Sequence, residues 1–549
     1  MNPENLDKYL YIKKTPTWWV RFVYAISIAS WILLLYGFWD AVLYIPFYTY
    51  FVGPLLIFFS LYYLSSYGLN LFYKQFDLKK HARVLEEYWQ KNENPSIDVF
   101  LPICGEKIEL IKNTWEYVSK INYKNIKVYV LDDSKVDCDV HKNLAQEYGF
   151  TYLERPNKGV MKKAGNLKYG YEHSSGDFII IFDADFAPRS DFVHELLPYM
   201  ENPKVAIVQS PQYFETTKDV HKRSSLEYGA SQVQEPFYRY IQVARNKFGG
   251  TICCGSNAIY RRSALEEIGG PVQVEHSEDA RTGFELRAHG YDVLYVPIIL
   301  ATGTCPDDFH SYFHQQHRWG SGTVTLCSHK YFWTANVPWI TKFCYLVGFL
   351  FYLSQPLSIL FSFQLFYGLF AYNNYITLAG GLLFYPSTII GFFVLFFFSI
   401  ARFRFGSFMA LLFQTYSYTH AVFTSLLKST VGWIPTNMKH KNVSSAFKQT
   451  TFIVYTYTSI YLLMVAVGIH MNKIHLLNYN YFVIQFWIFY NVFFSFVLLW
   501  NLFTTMRDMH VDNIDDEVLS REALFKWQIK ISVYYGVLLF LLIVGIIVL

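Results

Sequence analysis

The sequence predicts an α/β domain inserted into an α-helical transmembrane domain, and three observations lead there. Of 549 residues, 52% are hydrophobic and only 16% charged, well below the ~25% charge of ordinary soluble domains. The long apolar runs lie on either side of residues 74–340, which contain none. Within 74–340, short β-rich runs alternate with helical stretches, the pattern of a sheet covered by helices.

The spans come first. A bilayer core needs ~20 apolar residues per helix. Residues 20–39, 49–73, 343–371, 376–400, 451–469, 480–504 and 531–549 qualify, giving seven spans. The run 406–428 carries Gln414, Tyr416, Ser417, Thr419 and His420 and reads as an amphipathic helix at the interface. Lys8, Lys13, Lys14 and Arg21 precede the first span, whereas loops 40–48 and 372–375 carry no Lys or Arg. The segment 401–450 holds Arg402, Arg404, Lys428, Lys439, Lys441 and Lys448. The positive-inside rule therefore places the N-terminus, residues 74–340 and residues 401–450 in the cytoplasm. The expected organisation is a tail and two spans over 1–73, the cytoplasmic domain over 74–340, and two spans over 341–400. The interface helix and a loop follow over 401–450, and three spans over 451–549 end outside the cell.

Composition excludes other classes. A net charge of +4 leaves no nucleic-acid footprint. Seven cysteines form no CxxC pair and no zinc-like cluster, so reduced cytosolic thiols are expected. The first apolar run lacks the small-residue cleavage site of a signal peptide. A transporter is disfavoured, since there is no internal repeat, no GxxxxGK[ST] loop and no intramembrane acid pair.

In the middle domain, IDVFLPI (97–103), IKVYVLDD (126–133), FIIIFDAD (178–185), VAIVQSP (205–211) and VLYVP (293–297) read as buried strands of the parallel kind. Helices are expected over 107–120 and 162–173. Ligands of such sheets bind at the carboxyl ends of the strands, where two strands end in acids, LDDS (131–134) and FDADF (182–186). Asp183 and Asp185 suit a hard divalent ion that also holds phosphate oxygens; a plain turn is the alternative. In HSEDARTG (276–283), Asp279 is a candidate general base, or the segment opens a helix with Ser277 as N-cap. KKAGN (162–166) offers Lys163 and Asn166 to a phosphate, or simply begins a helix. HQQHRWGSG (314–322) places Gln315, Arg318 and Trp319 at the junction with the membrane. They either grip a charged group and an acceptor or lie as a basic, aromatic segment at the bilayer surface.

In chain order, DDS, KAGN, DAD, CCGS, SED and QxxRW over residues 97–320 resemble the processive family-2 glycosyltransferases, the cellulose, chitin and hyaluronan synthases. The resemblance implies a GT-A fold, a UDP-sugar donor, a Mg or Mn ion, inverting transfer, and secretion of the nascent polysaccharide through the enzyme's own spans in the plasma membrane. It implies that Asp133 contacts the nucleotide and that Lys163 and Asn166 bind the donor. Asp185 would ligate the metal, with Asp183 toward the ribose or diphosphate. Asp279 would be the catalytic base, Gln315 and Arg318 the pyrophosphate clamp, and Trp319 the ring under the acceptor sugar. CCGS, SEDA and VQSPQYF (208–214) look cellulose-like and favour UDP-glucose and a β-glucan; the alternative is a hyaluronan- or chitin-type synthase using UDP-N-acetylglucosamine, with or without UDP-glucuronate. Ser277 in place of Thr, and Cys104-Gly105 in LPICGEK, depart from the cellulose pattern. STVGWIPTNMKHKN (429–442) resembles a gating loop, with Trp433, Thr436 and Lys439 its expected contacts; the alternative is a basic loop drawn to anionic lipid. No feature of the sequence fixes an oligomeric state.

Overall fold

The computed structural model describes residues 2–91, 93–215, 225–306, 308–372, 405–428 and 444–470, with a few positions between 382 and 390. All but a few positions of the expected span 376–400, the expected spans 480–504 and 531–549, and the loop residues Trp433, Thr436 and Lys439 lie outside the described residues.

Three described helices are long and apolar enough to cross a membrane: α1 (Thr17–Tyr44), α2 (Tyr48–Asn70) and a later helix, Trp339–Ser362. They cover the first three expected spans, although the third stops at Ser362, and a separate helix, Gln364–Tyr372, follows. The tail before α1 packs on the α/β domain. Tyr11 and Ile12 are buried in its cores. Lys8 pairs with Asp191 at 2.6 Å and Glu195 at 2.7 Å, and Arg239 donates to the Lys14 carbonyl at 2.7 Å.

The soluble domain is built on a seven-stranded sheet. Its strands are β1 (Ile97–Ile103), β2 (Ile126–Asp132), β3 (Thr151–Glu154), β4 (Phe178–Ile181), β6 (Val205–Gln209), β8 (Ala258–Arg261) and β9 (Asp292–Tyr295), in the order β3-β2-β1-β4-β8-β6-β9. All five expected strands are present. The pairings among the expected strands are parallel; β8, which is not among them, runs antiparallel to both β4 and β6. The cause is its approach: β8 starts where the 250–257 segment returns from the carboxyl ends of the strands, so it can only run the other way. β5 (Phe186–Pro188), β7 (Tyr213–Phe214) and β10 (Ala301–Gly303) form a second, three-stranded sheet. Every residue of β1, β4 and β6 is buried, which is why these strands read as unbroken apolar runs.

Four further helices frame the site: α3 (Lys162–Glu172), α4 (Glu278–Ala288), α5 (Phe309–Ser328) and, after the membrane helix α6 (Trp339–Ser362), α7 (Phe405–Leu426). Helix α8 (Ser445–His470) covers the fifth expected span. The expected interface helix is α7, and its polar stripe does not face water. Tyr418 and Gln414 donate to Gln316 of α5 at 2.6 and 2.9 Å, Thr424 meets His317 at 3.1 Å, and His420 meets Gln449 of α8 at 3.1 Å. Phe423 and Leu426 are its exposed large apolar residues. The stripe is polar because it packs on a polar helix.

Candidate active site

The first wall of the site is the end of β2. Arg155 donates from Nε and Nη2 to the two Asp133 oxygens, both at 2.7 Å, and the Gly159 amide adds bonds of 3.1 and 3.2 Å. The same guanidinium donates to the carbonyls of Val160 at 2.6 Å and Lys162 at 3.2 Å. Asp133 therefore reaches the cleft already engaged, holding the loop that presents Lys163. That loop is strained, with Met161 and Lys162 at φ of 53° and 49°. A Cβ on Gly165 would lie 2.3 Å from Arg155 Nη1, so the glycine of KAGN is a steric requirement of this arginine. Asn166 donates to the Leu131 carbonyl at 2.7 Å, tying α3 to β2.

The second wall is the Phe182–Phe186 segment after β4. It is a turn, closed by a bond from the Phe186 amide to the Asp183 carbonyl at 3.0 Å. Ser256 accepts from the Asp183 amide at 3.0 Å, and Thr114 donates to the Ala184 carbonyl at 2.7 Å. The turn aims both carboxylates into the cleft. Lys163 donates to Asp183 at 2.5 Å and lies 3.9 Å from Glu278.

The floor is CCGS, and three glutamines hold it. Gln209 donates to the Ile252 carbonyl at 2.7 Å and accepts from the Cys254 amide at 3.0 Å. Gln242 donates to the same Ile252 carbonyl at 2.7 Å and accepts from its amide at 3.1 Å. Gln212 donates to the Cys254 carbonyl at 2.9 Å and accepts from Tyr238 at 2.6 Å. Residues 252–254 lie outside any strand, so these side chains replace the ladder bonds such a buried backbone needs. They present Gly255, at φ of 76°, where a Cβ would stand 2.8 Å from Asp279 Oδ2. Gly255→Ala is expected to displace that carboxylate and lower kcat about 100-fold, with the circular dichroism spectrum unchanged.

Asp279 lies in the first turn of α4, accepting from the Ala280 amide at 2.8 Å. Ser277 precedes the helix in a left-handed conformation and makes no capping bond; its hydroxyl donates to the Arg318 carbonyl at 3.4 Å instead. Ser277 thus stands at the N-cap position with Glu278 and Asp279 in the first turn, as expected, but its hydroxyl joins α4 to α5 instead of capping the helix. Gly322 makes the approach possible, since a Cβ there would fall 1.8 Å from Ser277 Oγ. Helix α5 starts at Asp308, which accepts from the Ser311 amide at 2.9 Å. Spacings of three and four put Gln315, Arg318 and Trp319 on one helical face, and that face lines the cleft. His314 and His317 bond Ser444 at 2.9 Å and Thr424 at 3.1 Å; they are helix–helix anchors.

All nine candidates among the described residues, Asp133, Lys163, Asn166, Asp183, Asp185, Asp279, Gln315, Arg318 and Trp319, line this one cleft, which holds about 1190 Å³ free of protein atoms. Sequence reasoning missed Glu106, which also lines it and accepts from the Cys104 amide at 2.6 Å. Burial pushes Asp185 up to about 7, with the Asp183 charge adding to it, and likewise Glu106 up to about 7. Asp279 is pushed to about 7 by burial and by Glu278, against the pull of Lys163. Burial lowers Arg318 to about 10, opposed by Glu278, Asp183 and Asp185. So many carboxylates held high in one cleft favour an added cation. Among the described residues no three His, Cys, Asp or Glu side chains form a ready-made metal site. Asp185 and Asp183 offer hard oxygen ligands suited to Mg or Mn, with phosphate oxygens of a bound nucleotide completing the shell.

A base with a pKa near 7 works only when deprotonated. The acid limb of kcat/KM is therefore expected near pH 7, with activity rising from about pH 6 to 8. Glu278→Gln removes the adjacent negative charge and is expected to move that limb to lower pH.

Residues 98–269 match the model of Glycosyl transferase family 2. Cellulose synthase 1 of Komagataeibacter xylinus is 30% identical over 323 residues, covering 56% of this chain and 20% of its own. The UDP-forming cellulose synthase catalytic subunit of Xanthomonas axonopodis pv. citri is 30% identical over 235 residues, covering 42% of this chain and 32% of its own. Among solved structures, a mannosyltransferase from Pyrobaculum calidifontis, in complex with GDP-Man and Mn2+, is 17% identical with a TM-score of 0.47. It covers 68% of this chain and 99% of its own. Residues 98–269, about a third of the chain, are thus a family-2 glycosyltransferase domain. It is cellulose synthase-like. It spans about a fifth to a third of the length of these cellulose synthases.

Proposed function

We propose that this protein is a processive, inverting glycosyltransferase that moves glucose from UDP-glucose to a growing β-glucan and passes the polymer through its own membrane spans. What carries the reading is that all nine chemically suited residues converge on one cleft, three of them on helix α5, which is followed after the short helix Lys330–Thr334 by the apolar helix α6.

The roles follow from the side chains. Lys163 of α3 and Arg318 of α5 bind the diphosphate, with Gln315 beside Arg318 on the same face of α5. Asp185 would ligate the divalent ion, with Asp183 toward the ribose or diphosphate, and the ion when bound would supply positive charge against the leaving diphosphate. Trp319 offers a flat apolar face to the terminal sugar of the acceptor. Asp279 takes the proton of the acceptor hydroxyl as that oxygen attacks the anomeric carbon. One C–O bond forms, the bond to the diphosphate breaks from the opposite side, UDP departs, and the proton leaves Asp279 for solvent. Configuration inverts because there is a single displacement. The α/β domain faces the cytoplasm of a multi-pass plasma-membrane protein, where the nucleotide sugar is made.

The test uses purified protein in lipid with Mn or Mg and each labelled UDP-sugar in turn, scoring released UDP and high-molecular-weight product. Polymer from UDP-glucose alone, digested by β-glucanases, is expected. Polymer only from UDP-N-acetylglucosamine, or only with UDP-glucuronate added, would assign the chitin- or hyaluronan-type activity instead.

A further inference from the structure

Arg245, in the short helix Gln242–Asn246, is 5% exposed. The other buried arginines each face a carboxylate: Arg155 has Asp133 at 2.7 Å, Arg239 has Glu235 at 2.7 Å, and Arg262 has Asp98 at 3.0 Å. Among the described residues, no carboxylate and no hydrogen-bond acceptor reaches the Arg245 guanidinium. Its helix packs through Val243 and Ala244 against Val20, Val23 and Tyr24 of α1, and Tyr62, Tyr345, Tyr352 and Cys344 act on its charge. A Cβ on Gly348 would lie 3.9 Å from its Nη1 and 3.9 Å from the Thr323 methyl. The guanidinium is thus held between α1, α2, α6 and the membrane-side end of α5. Taking a cation out of water without a counter-charge is costly, and an ionisable group packed among membrane helices marks a functional site.

We infer that Arg245 is the centre of an oxyanion site, separate from the cleft, that takes a phosphate group at the cytosolic ends of the membrane helices. Its forked donors match phosphate oxygens. The headgroup of an anionic lipid is the ligand the position favours. The Lys and Arg distribution puts these helix ends at the cytoplasmic leaflet, whose lipids carry negative charge. Trp18 and Trp339, at the starts of α1 and α6, are 68% and 63% exposed, as interfacial rings are. Inorganic phosphate offers the same chemistry from solution.

Thermal unfolding of the full chain in nanodiscs tests the site. Wild-type protein is expected to melt about 5 °C higher in discs containing phosphatidylglycerol than in pure phosphatidylcholine. Arg245→Met should lose that difference and, in phosphatidylcholine, melt no lower than wild type, because it removes an unpaired buried charge. Arg245→Lys should keep part of the difference. Lys247→Met should keep all of it, since Lys247 is exposed over the Phe72 and Phe248 rings. If the stabilisation appears only with millimolar inorganic phosphate in phosphatidylcholine discs and is lost in Arg245→Met, the site stands with a soluble ligand. An unchanged lipid or phosphate response in Arg245→Met, or no response in wild type, overturns the proposal.

Discussion

Asp279→Asn is expected to lower product formation by about 10²- to 10⁴-fold while leaving nucleotide binding intact. Asparagine keeps the size of the side chain and can still accept from the Ala280 amide, which Asp279 now does at 2.8 Å. It cannot take a proton. The loss should appear in single-turnover transfer of labelled sugar, with the affinity for UDP, measured by calorimetry, unchanged. Transfer at the wild-type rate would remove Asp279 from the reaction and leave Glu278, the other carboxylate at the start of α4, as the base. The prediction is sharp because Asp279 is held from three sides: by the helix start, by the glutamine-pinned floor at Gly255, and by the charge of Lys163.

Arg318→Met is expected to lower kcat about 10²- to 10³-fold, with a smaller rise in KM for the donor. The guanidinium meets charge that grows on the diphosphate as the sugar leaves, so its loss weighs on the transition state more than on donor binding. Arg318→Lys should recover only part of the rate, because an ammonium cannot make the forked contact. Steady-state and single-turnover kinetics with UDP-glucose separate the two effects. A mutant that changes KM alone would make Arg318 a simple binding residue. Burial already lowers Arg318 to about 10, which marks how far this cation has been taken from water.

Much of this was readable in the sequence, for physical reasons. β1, β2, β4, β6 and β9 are buried strands, and buried strands are written as apolar runs. Asp133, Asp183 and Asp185 stand out because acids directly after such runs need a compensating partner, which for Asp133 proves to be Arg155. β5, β7 and β10 have three, two and three residues, too short for any periodicity, and β8 follows a cleft loop whose direction only the fold reveals. Arg155 and the three glutamines are legible only in space. Arg155 meets Asp133 across 22 residues, and Gln209 meets Cys254 across 45. Helix α7 misleads for a different reason: polarity in sequence does not say whether a side chain faces water or another polar helix. Gly255 and Gly322 matter for what they lack, and no pattern of residues records a close approach between α4 and α5.

The coupling of transfer to the membrane is tested most directly in sealed, inverted vesicles containing only this protein. UDP-[14C]glucose and Mn are supplied outside, where the cytoplasmic domain would face. High-molecular-weight label should accumulate in the lumen, resistant to β-glucanase until the vesicles are opened, and should be missing with Asp279→Asn. Polymer formed entirely outside the vesicles, accessible to the glucanase from the start, would contradict passage through the spans.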